Sequence, residues 1–201
     1  MNTPETSTRI DGGCHCGAIR WRLAAPVGAE SLPVRVCQCD FCLKHGARYT
    51  SDPRARLELQ AAADDLVQRY RFGHGTADFV ICRKCGTLTA AVMDGSGNAR
   101  RAVLNVNTAD QPKTFSASPH AMDFDSESQE ERLARRGGNW VGQVIWTRNP
   151  RIKVARRREP QSPLKTTRPR SLQSYPAIPS SSARKASLRV KRSSVWTGGS
   201  K

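Results

Sequence analysis

Seven cysteines fall into three tight groups, Cys14 and Cys16, then Cys37, Cys39 and Cys42, then Cys82 and Cys85, and no other feature of the chain constrains the fold as strongly. Disulfides suit this pattern poorly. The number is odd, the N-terminus carries no charged stretch running into an apolar one, and cysteines two apart rarely reach bridging geometry. Zinc suits it well. Cys14, Cys16, Cys82 and Cys85 together supply the four thiolates of a closed tetrahedral site, so one ion would staple two segments that lie far apart in sequence. Cys37, Cys39 and Cys42 place three sulfurs on one short stretch, one ligand short of closing a second tetrahedron.

The charge of the chain is uneven. Of its 33 Lys and Arg, 14 lie in residues 151–201 against a single acid, Glu159, so nearly all of the net +16 belongs to that stretch. It is rich in Ser, Pro and Arg and shows neither a two-residue nor a 3.6-residue apolar period, which predicts a disordered basic tail. Such a tail can bind nucleic acid or an anionic membrane surface by releasing counterions, or remain an inert solvated extension. Residues 1–150 are then the folded domain. No apolar run is long enough to span a membrane, and the expected location is the cytoplasm.

Within the domain the pattern is that of short strands and frequent turns, hence a mainly β fold. Residues 18–23 alternate apolar side chains with arginines, and further strands are expected over 34–36, 47–50, 56–60, 66–72, 77–81, 88–92 and 102–106. Residues two apart on a regular strand are too far apart to share one ion, so Cys14 and Cys16 belong in a turn, helped by Gly12, Gly13 and Gly17. Residues 79–81 run into Cys82-x-x-Cys85-Gly86, a strand ending in a metal knuckle whose turn Gly86 can close at positive φ. A short helix is expected over 127–135, with Ser126 as its N-cap.

These motifs carry a family resemblance. The runs Gly12-Gly13-Cys14-His15-Cys16-Gly17, Cys37-x-Cys39-x-x-Cys42 and Cys82-x-x-Cys85-Gly86-Thr87, with residues 137–144 as a closing segment around Asn139-Trp140, resemble the glutathione-dependent formaldehyde-activating enzyme and centromere protein V family. The resemblance implies a small zinc-containing fold of coiled β-sheets, related to methionine sulfoxide reductase B. It implies a structural zinc on Cys14, Cys16, Cys82 and Cys85, and a second zinc on Cys37, Cys39 and Cys42 whose fourth position faces substrate, two Zn2+ per chain. The activity it implies is carbon–sulfur lyase chemistry that joins glutathione or a similar thiol to formaldehyde or another small aldehyde.

That chemistry is reasonable from the donors alone. Three thiolates reduce a zinc dication to a net charge of about −1, which makes it a poor generator of hydroxide and favours thiol transfer over hydrolysis. Near the second group stand Asp40, Lys44, His45, Arg48 and Tyr49. His45 follows Cys42 more closely than histidine ligands usually follow a cysteine, and if it did ligate, the second site would be closed and purely structural. Arg48, with Arg54 and Arg56, offers bidentate contacts to the carboxylates of a peptide thiol, and Arg48 is the candidate substrate-binding residue. His15, His74 and His120 have no distinguishing context. Trp21 and Trp140 read as core residues, and Asp123, Asp125, Glu127, Glu130 and Glu131 with Arg132, Arg135 and Arg136 read as a charged helix surface. Two other readings stand beside the enzyme: a zinc-stabilised module whose tail binds nucleic acid, and a zinc or redox sensor at the three-cysteine group.

Overall fold

The computed structural model describes residues 7–95 and 99–154; the expected basic tail lies outside the described residues from 155 onward. Among the described residues eleven strands form two sheets, accompanied by two α-helices. The first sheet has four strands in the order β1-β2-β5-β11, with β1 at Thr8–Gly13, β2 at Ile19–Ala25, β5 at Arg56–Ala61 and β11 at Gln143–Arg148. The second has seven in the order β10-β3-β4-β9-β8-β7-β6: His120–Met122, Arg35–Cys37, Tyr49–Thr50, Arg100–Asn105, Leu88–Asp94, Asp78–Cys82 and Val67–Tyr70. Helix α1 is Asp40–Lys44 and α2 is Gln129–Asn139. Two of the pairings, β10 with β3 and β11 with β5, are parallel.

Sequence alternation explains the first sheet directly. On β2, Ile19, Trp21, Leu23 and Ala25 are buried while Arg20 and Arg22 face outward, and on β5 Leu57, Leu59 and Ala61 do the same. Trp21 lies opposite Gly12 on β1 and Leu59 on β5. A Cβ at Gly12 would sit 2.2 Å from the Trp21 ring, so the glycine is there to admit the indole. The indole Nε1 donates to Thr108 Oγ1 at 3.0 Å, which makes Trp21 a satisfied core residue as expected.

The second sheet is buried on both faces at its centre. Val80, Ala90, Val92, Ala102 and Leu104 point toward the first sheet and form the larger core with it. Phe79, Ala91, Met93 and Val103 alternate with them and point the other way, where they join Trp140, Tyr49 and Cys42 in a second cluster. Strand β8 is apolar almost throughout because it serves both cores.

All eight expected strands are present within two residues of their expected bounds, and β1, β10, β11 and α1 are additional. The expected helix is present but displaced. Its cap is Ser128 rather than Ser126, because only Ser128 has a glutamate three residues on: Glu131 N donates to Ser128 Oγ at 3.2 Å, and Ser128 N donates to Glu131 Oε2 at 2.8 Å. The helix continues through Gly137 and Gly138 to Asn139. Val154 still packs against the main core beyond the expected end of the domain. No helix among the described residues is long and apolar enough to cross a membrane.

Candidate metal centres and the cavity beside them

The first cysteine group joins the two sheets. Cys14 and Cys16 sit in the turn between β1 and β2, and Cys82 and Cys85 in the turn between β7 and β8. Each turn closes on a glycine at positive φ, Gly17 at 77° and Gly86 at 74°, a conformation costly to any residue with a Cβ. Backbone bonds fix both turns: Gly17 N to Cys14 O at 2.9 Å and Gly86 N to Cys82 O at 2.8 Å. The four sulfurs lie within 4.8 Å of one another, with Cys14 to Cys16 at 3.7 Å and Cys16 to Cys82 at 3.6 Å. Four sulfurs on a zinc with 2.3 Å bonds stand about 3.8 Å apart, so the cradle fits a tetrahedral ion, and these separations are far too long for disulfides. All seven cysteines are free thiols.

The second group is local. Cys37 ends β3, Cys39 is the N-cap of α1 and Cys42 lies within that helix, which brings the three sulfurs within 4.8 Å of one another. Cys42 is buried, while Cys37 and Cys39 are half-buried. Among the described residues no histidine or carboxylate joins either group. His45 caps the other end of α1 and lays its ring against Phe41, centroids 4.5 Å apart.

In the metal-free thiols the charge settles on one sulfur of each group. Cys37 is drawn down to about 6, chiefly by hydrogen bonding from Cys42, against its burial and with Arg132 adding attraction. Cys42 is pushed up by that same hydrogen bond and by burial. The Tyr49 hydroxyl lies 3.5 Å from Cys42 Sγ and is itself pushed up, by burial first, with the cysteine group beside it adding to the effect. It therefore stays protonated and available to donate to that sulfur. In the first group, burial opposes ionisation of Cys85, yet the Thr87 hydroxyl, 3.3 Å away, and backbone N–H groups bring it to about 6. Burial pushes Cys14 up.

The surroundings of the groups differ: in the first, Cys85 edges an open depression of about 300 Å³ with Thr87 and Asn107. The second borders two spaces, an inner chamber of about 100 Å³ and an outer groove of about 340 Å³. Tyr49, Phe79, Val103 and Trp140 wall the chamber, and the loop carrying Gly73 and His74 edges the groove. Trp140 is buried, as expected of a core residue, and also stands at the site.

The arginines that follow the second group in sequence are not the ones that line its spaces. Arg48 lines neither space: its guanidinium Nη2 donates to Phe115 O at 3.5 Å, and Arg54 and Arg56 pair on the surface with Asp52 and Glu58. The arginines at the cysteines come from elsewhere. Arg35 lies two residues before Cys37 on β3 and shares its strand face. Arg132, Arg135 and Arg136 occupy one face of α2, and rather than a solvated surface they form a wall of the groove, with Arg136 only 8% exposed. Arg132 and Arg135 pair with Glu127, and Arg135 stacks on Phe124 with its guanidinium carbon 3.6 Å from the ring centre. Arg136 donates to Thr76 Oγ1 at 2.7 Å and lies over Trp140. Burial and the neighbouring Arg132 and Arg135 bring it down to about 10, still cationic at neutral pH. Two signals for this wall were present in the sequence: the Arg35-x-Cys37 alternation and the 132/135/136 helical spacing.

A crystal structure of a Rhodobacter sphaeroides protein is similar to this chain at 24% identity, covering 69% of this chain and 100% of that one, with a TM-score of 0.38. The model of one protein family, described as glutathione-dependent formaldehyde-activating enzyme, matches residues 9–125, a span that takes in all seven cysteines and both sets of turns that carry them. The chain belongs to the glutathione-dependent formaldehyde-activating enzyme family.

Proposed function

We propose that this chain joins a thiol to a small aldehyde at a zinc centre on Cys37, Cys39 and Cys42, and that a second zinc on Cys14, Cys16, Cys82 and Cys85 holds the fold together. The observation that carries this reading is the contrast between a complete four-sulfur set, three of its cysteines buried, and a three-sulfur set one ligand short that borders a chamber and a groove. A closed four-sulfur site is structural, and catalytic zinc keeps a position open. Bound to the three-sulfur group, zinc would lower the pKa of an incoming thiol from its usual value of about 8.5, making it a stronger nucleophile at neutral pH.

The chain's own residues supply the rest. The Tyr49 hydroxyl, protonated and directed at Cys42, restrains the charge on that sulfur. Phe79, Val103 and Trp140 give the small chamber one apolar side, which favours a small aldehyde and holds its carbon beside the sulfur. In the reaction the thiol sulfur bonds to the carbonyl carbon, the C=O π pair moves to oxygen, and that oxygen takes up the proton the thiol gave up. There is no net oxidation or reduction.

Exchange NMR with 13C-formaldehyde and glutathione tests this reading. The zinc-loaded chain should speed formation of S-(hydroxymethyl)glutathione above the uncatalysed rate, and C39S should abolish the gain. Equal rates with and without protein would remove it.

A second reading adds nucleic-acid binding through residues 151–201, favoured by their 14 Lys and Arg against one acid. Deleting residues 155–201 should then remove the steep salt dependence of DNA binding, and unchanged binding by the shortened chain would exclude it.

A further inference from the structure

The inner chamber has three arginines on its wall, Arg35, Arg135 and Arg136, and no carboxylate. Arg135 is engaged by Glu127, at 2.5 Å and 2.8 Å. Arg35 and Arg136 have no acid within ion-pair distance among the described residues. Arg35 donates to Ser51 Oγ at 3.1 Å, and Ser51 in turn donates to Asn139 O at 2.7 Å, which braces Arg35 against the end of α2. Arg136 is more than nine-tenths buried, and its Nε has no hydrogen-bond partner. A buried cation left with an unsatisfied donor costs several kcal/mol unless something anionic answers it. The three-cysteine centre answers part of it, with a net charge of about −1 once zinc is bound. Two guanidinium groups against one negative charge leave room for another anion.

We propose that Arg136 and Arg35 form a carboxylate-binding subsite, which receives an acid group carried by the substrate while its reacting end lies at Cys37, Cys39 and Cys42. The subsite rests on the functional reading above for its substrate and on the structure for its chemistry. A guanidinium fork binds a carboxylate through two parallel N–H bonds, and Arg136 is held over the Trp140 ring, 4.8 Å from its centre, by its hydrogen bond to Thr76 Oγ1. The chamber is too small for a tripeptide, so only one acid end enters it and the remainder lies in the outer groove, between the Gly73–His74 loop and Arg132. Of the two arginines, Arg35 lies within the residues 9–125 matched by the family model, and Arg136 lies beyond them on α2.

Binding, rather than turnover, tests the subsite. S-methylglutathione has the carboxylates of glutathione but no free thiol to ligate metal, and its dimethyl ester has the same shape without the acid charge. Calorimetry on the zinc-loaded full chain should show the acid binding at least about tenfold more tightly than the ester, the range expected for a charge-assisted pair. R136Q should erase that preference, R136K should keep part of it, and R56Q, altering an exposed arginine paired with Glu58, should leave it intact. R35Q provides a second disruption at a residue that is only half-buried, with zinc content and far-UV circular dichroism confirming that each variant is folded.

A parallel pair, glyoxylate and acetaldehyde, locates the acid. A preference for glyoxylate that R136Q or R35Q erases, with none for S-methylglutathione, places the carboxylate on the aldehyde and supports the subsite. Absence of acid preference in both pairs, or a preference that folded R136Q and R35Q retain, overturns it. Loss of adduct formation with acid preference intact would reject the proposed reaction and leave the subsite standing.

Discussion

The two cysteine groups share one donor chemistry but are built in opposite ways. The first is assembled from two segments that the fold brings together across 66 residues of sequence, and three of its cysteines are part of the main core. The second is one short run of chain at the end of β3 and the start of α1, on the outer face of the seven-stranded sheet. A site made of distant turns closes a long loop, so it contributes to folding whether or not anything else binds. A site made of one local run closes almost no loop, adds little to folding, and can leave a coordination position for substrate.

The largest expected effect follows directly. C82S should remove the four-sulfur site and with it the folded state, read as loss of the cooperative thermal transition and of both metals by elemental analysis. C39S should instead lose one metal, keep the transition within a few degrees, and reduce adduct formation at least about a hundredfold, as expected when the group that positions the nucleophile is removed. Equal destabilisation by the two variants would erase the distinction between the sites.

Next comes the hydroxyl beside Cys42. Y49F keeps the ring in the chamber wall and removes one donor to sulfur, worth about 1.5–3 kcal/mol when the acceptor is charged. Activity should fall roughly tenfold or more while zinc stays bound, measured as kcat alongside metal content. G86A probes the other site: φ at Gly86 is 74° with open space around the missing Cβ, so the cost is backbone strain alone, about 1–2 kcal/mol of stability, with the chemistry at the second site unchanged.

The smallest effect concerns β7, the strand that lends Phe79 to the chamber and Cys82 to the first site. Asp78 begins it and accepts from Arg71 Nε at 2.5 Å and Arg69 Nη1 at 3.3 Å. The Arg71 hydrogen bond holds the carboxyl below its ordinary value against partial burial, with Arg69 adding to the effect. A lowered folded-state pKa gives stability that is present above the unfolded value near 3.9 and is lost as pH falls through the folded one. D78N should lower the melting midpoint by roughly 2–4 °C at pH 7 and by nothing at the most acid pH the protein survives.

Much of this was legible in the amino-acid order, for physical reasons. Cysteine spacing reports donor geometry, so both sulfur groups could be drawn before any fold was known, and Cys82-x-x-Cys85-Gly86 dictates its own turn. Alternation on β2 and β5 is visible because one face of the first sheet is exposed. What escaped were elements whose residues answer to tertiary partners. Strand β1 carries Gly12 because Trp21 needs the room and Gly13 because the Ile19 carbonyl comes close, β10 is three residues long, and β11 runs parallel at an edge. The arginine wall escaped for a related reason: charge on a helix usually marks solvent, and only folding shows that α2 turns Arg136 inward toward sulfur. Arg48, near Cys42 in sequence, is carried away from the site to Phe115 by the turn that follows α1.

The central claim is that the second metal centre keeps a position for an incoming thiol, and visible absorption of the cobalt-substituted full chain tests it most directly. Titration with glutathione should produce a saturable change in the thiolate-to-cobalt bands, absent with S-methylglutathione and absent in C39S. An unchanged spectrum at saturating glutathione, with two tetrahedral cobalt ions already bound, would mean that the position is closed and that both sites are structural.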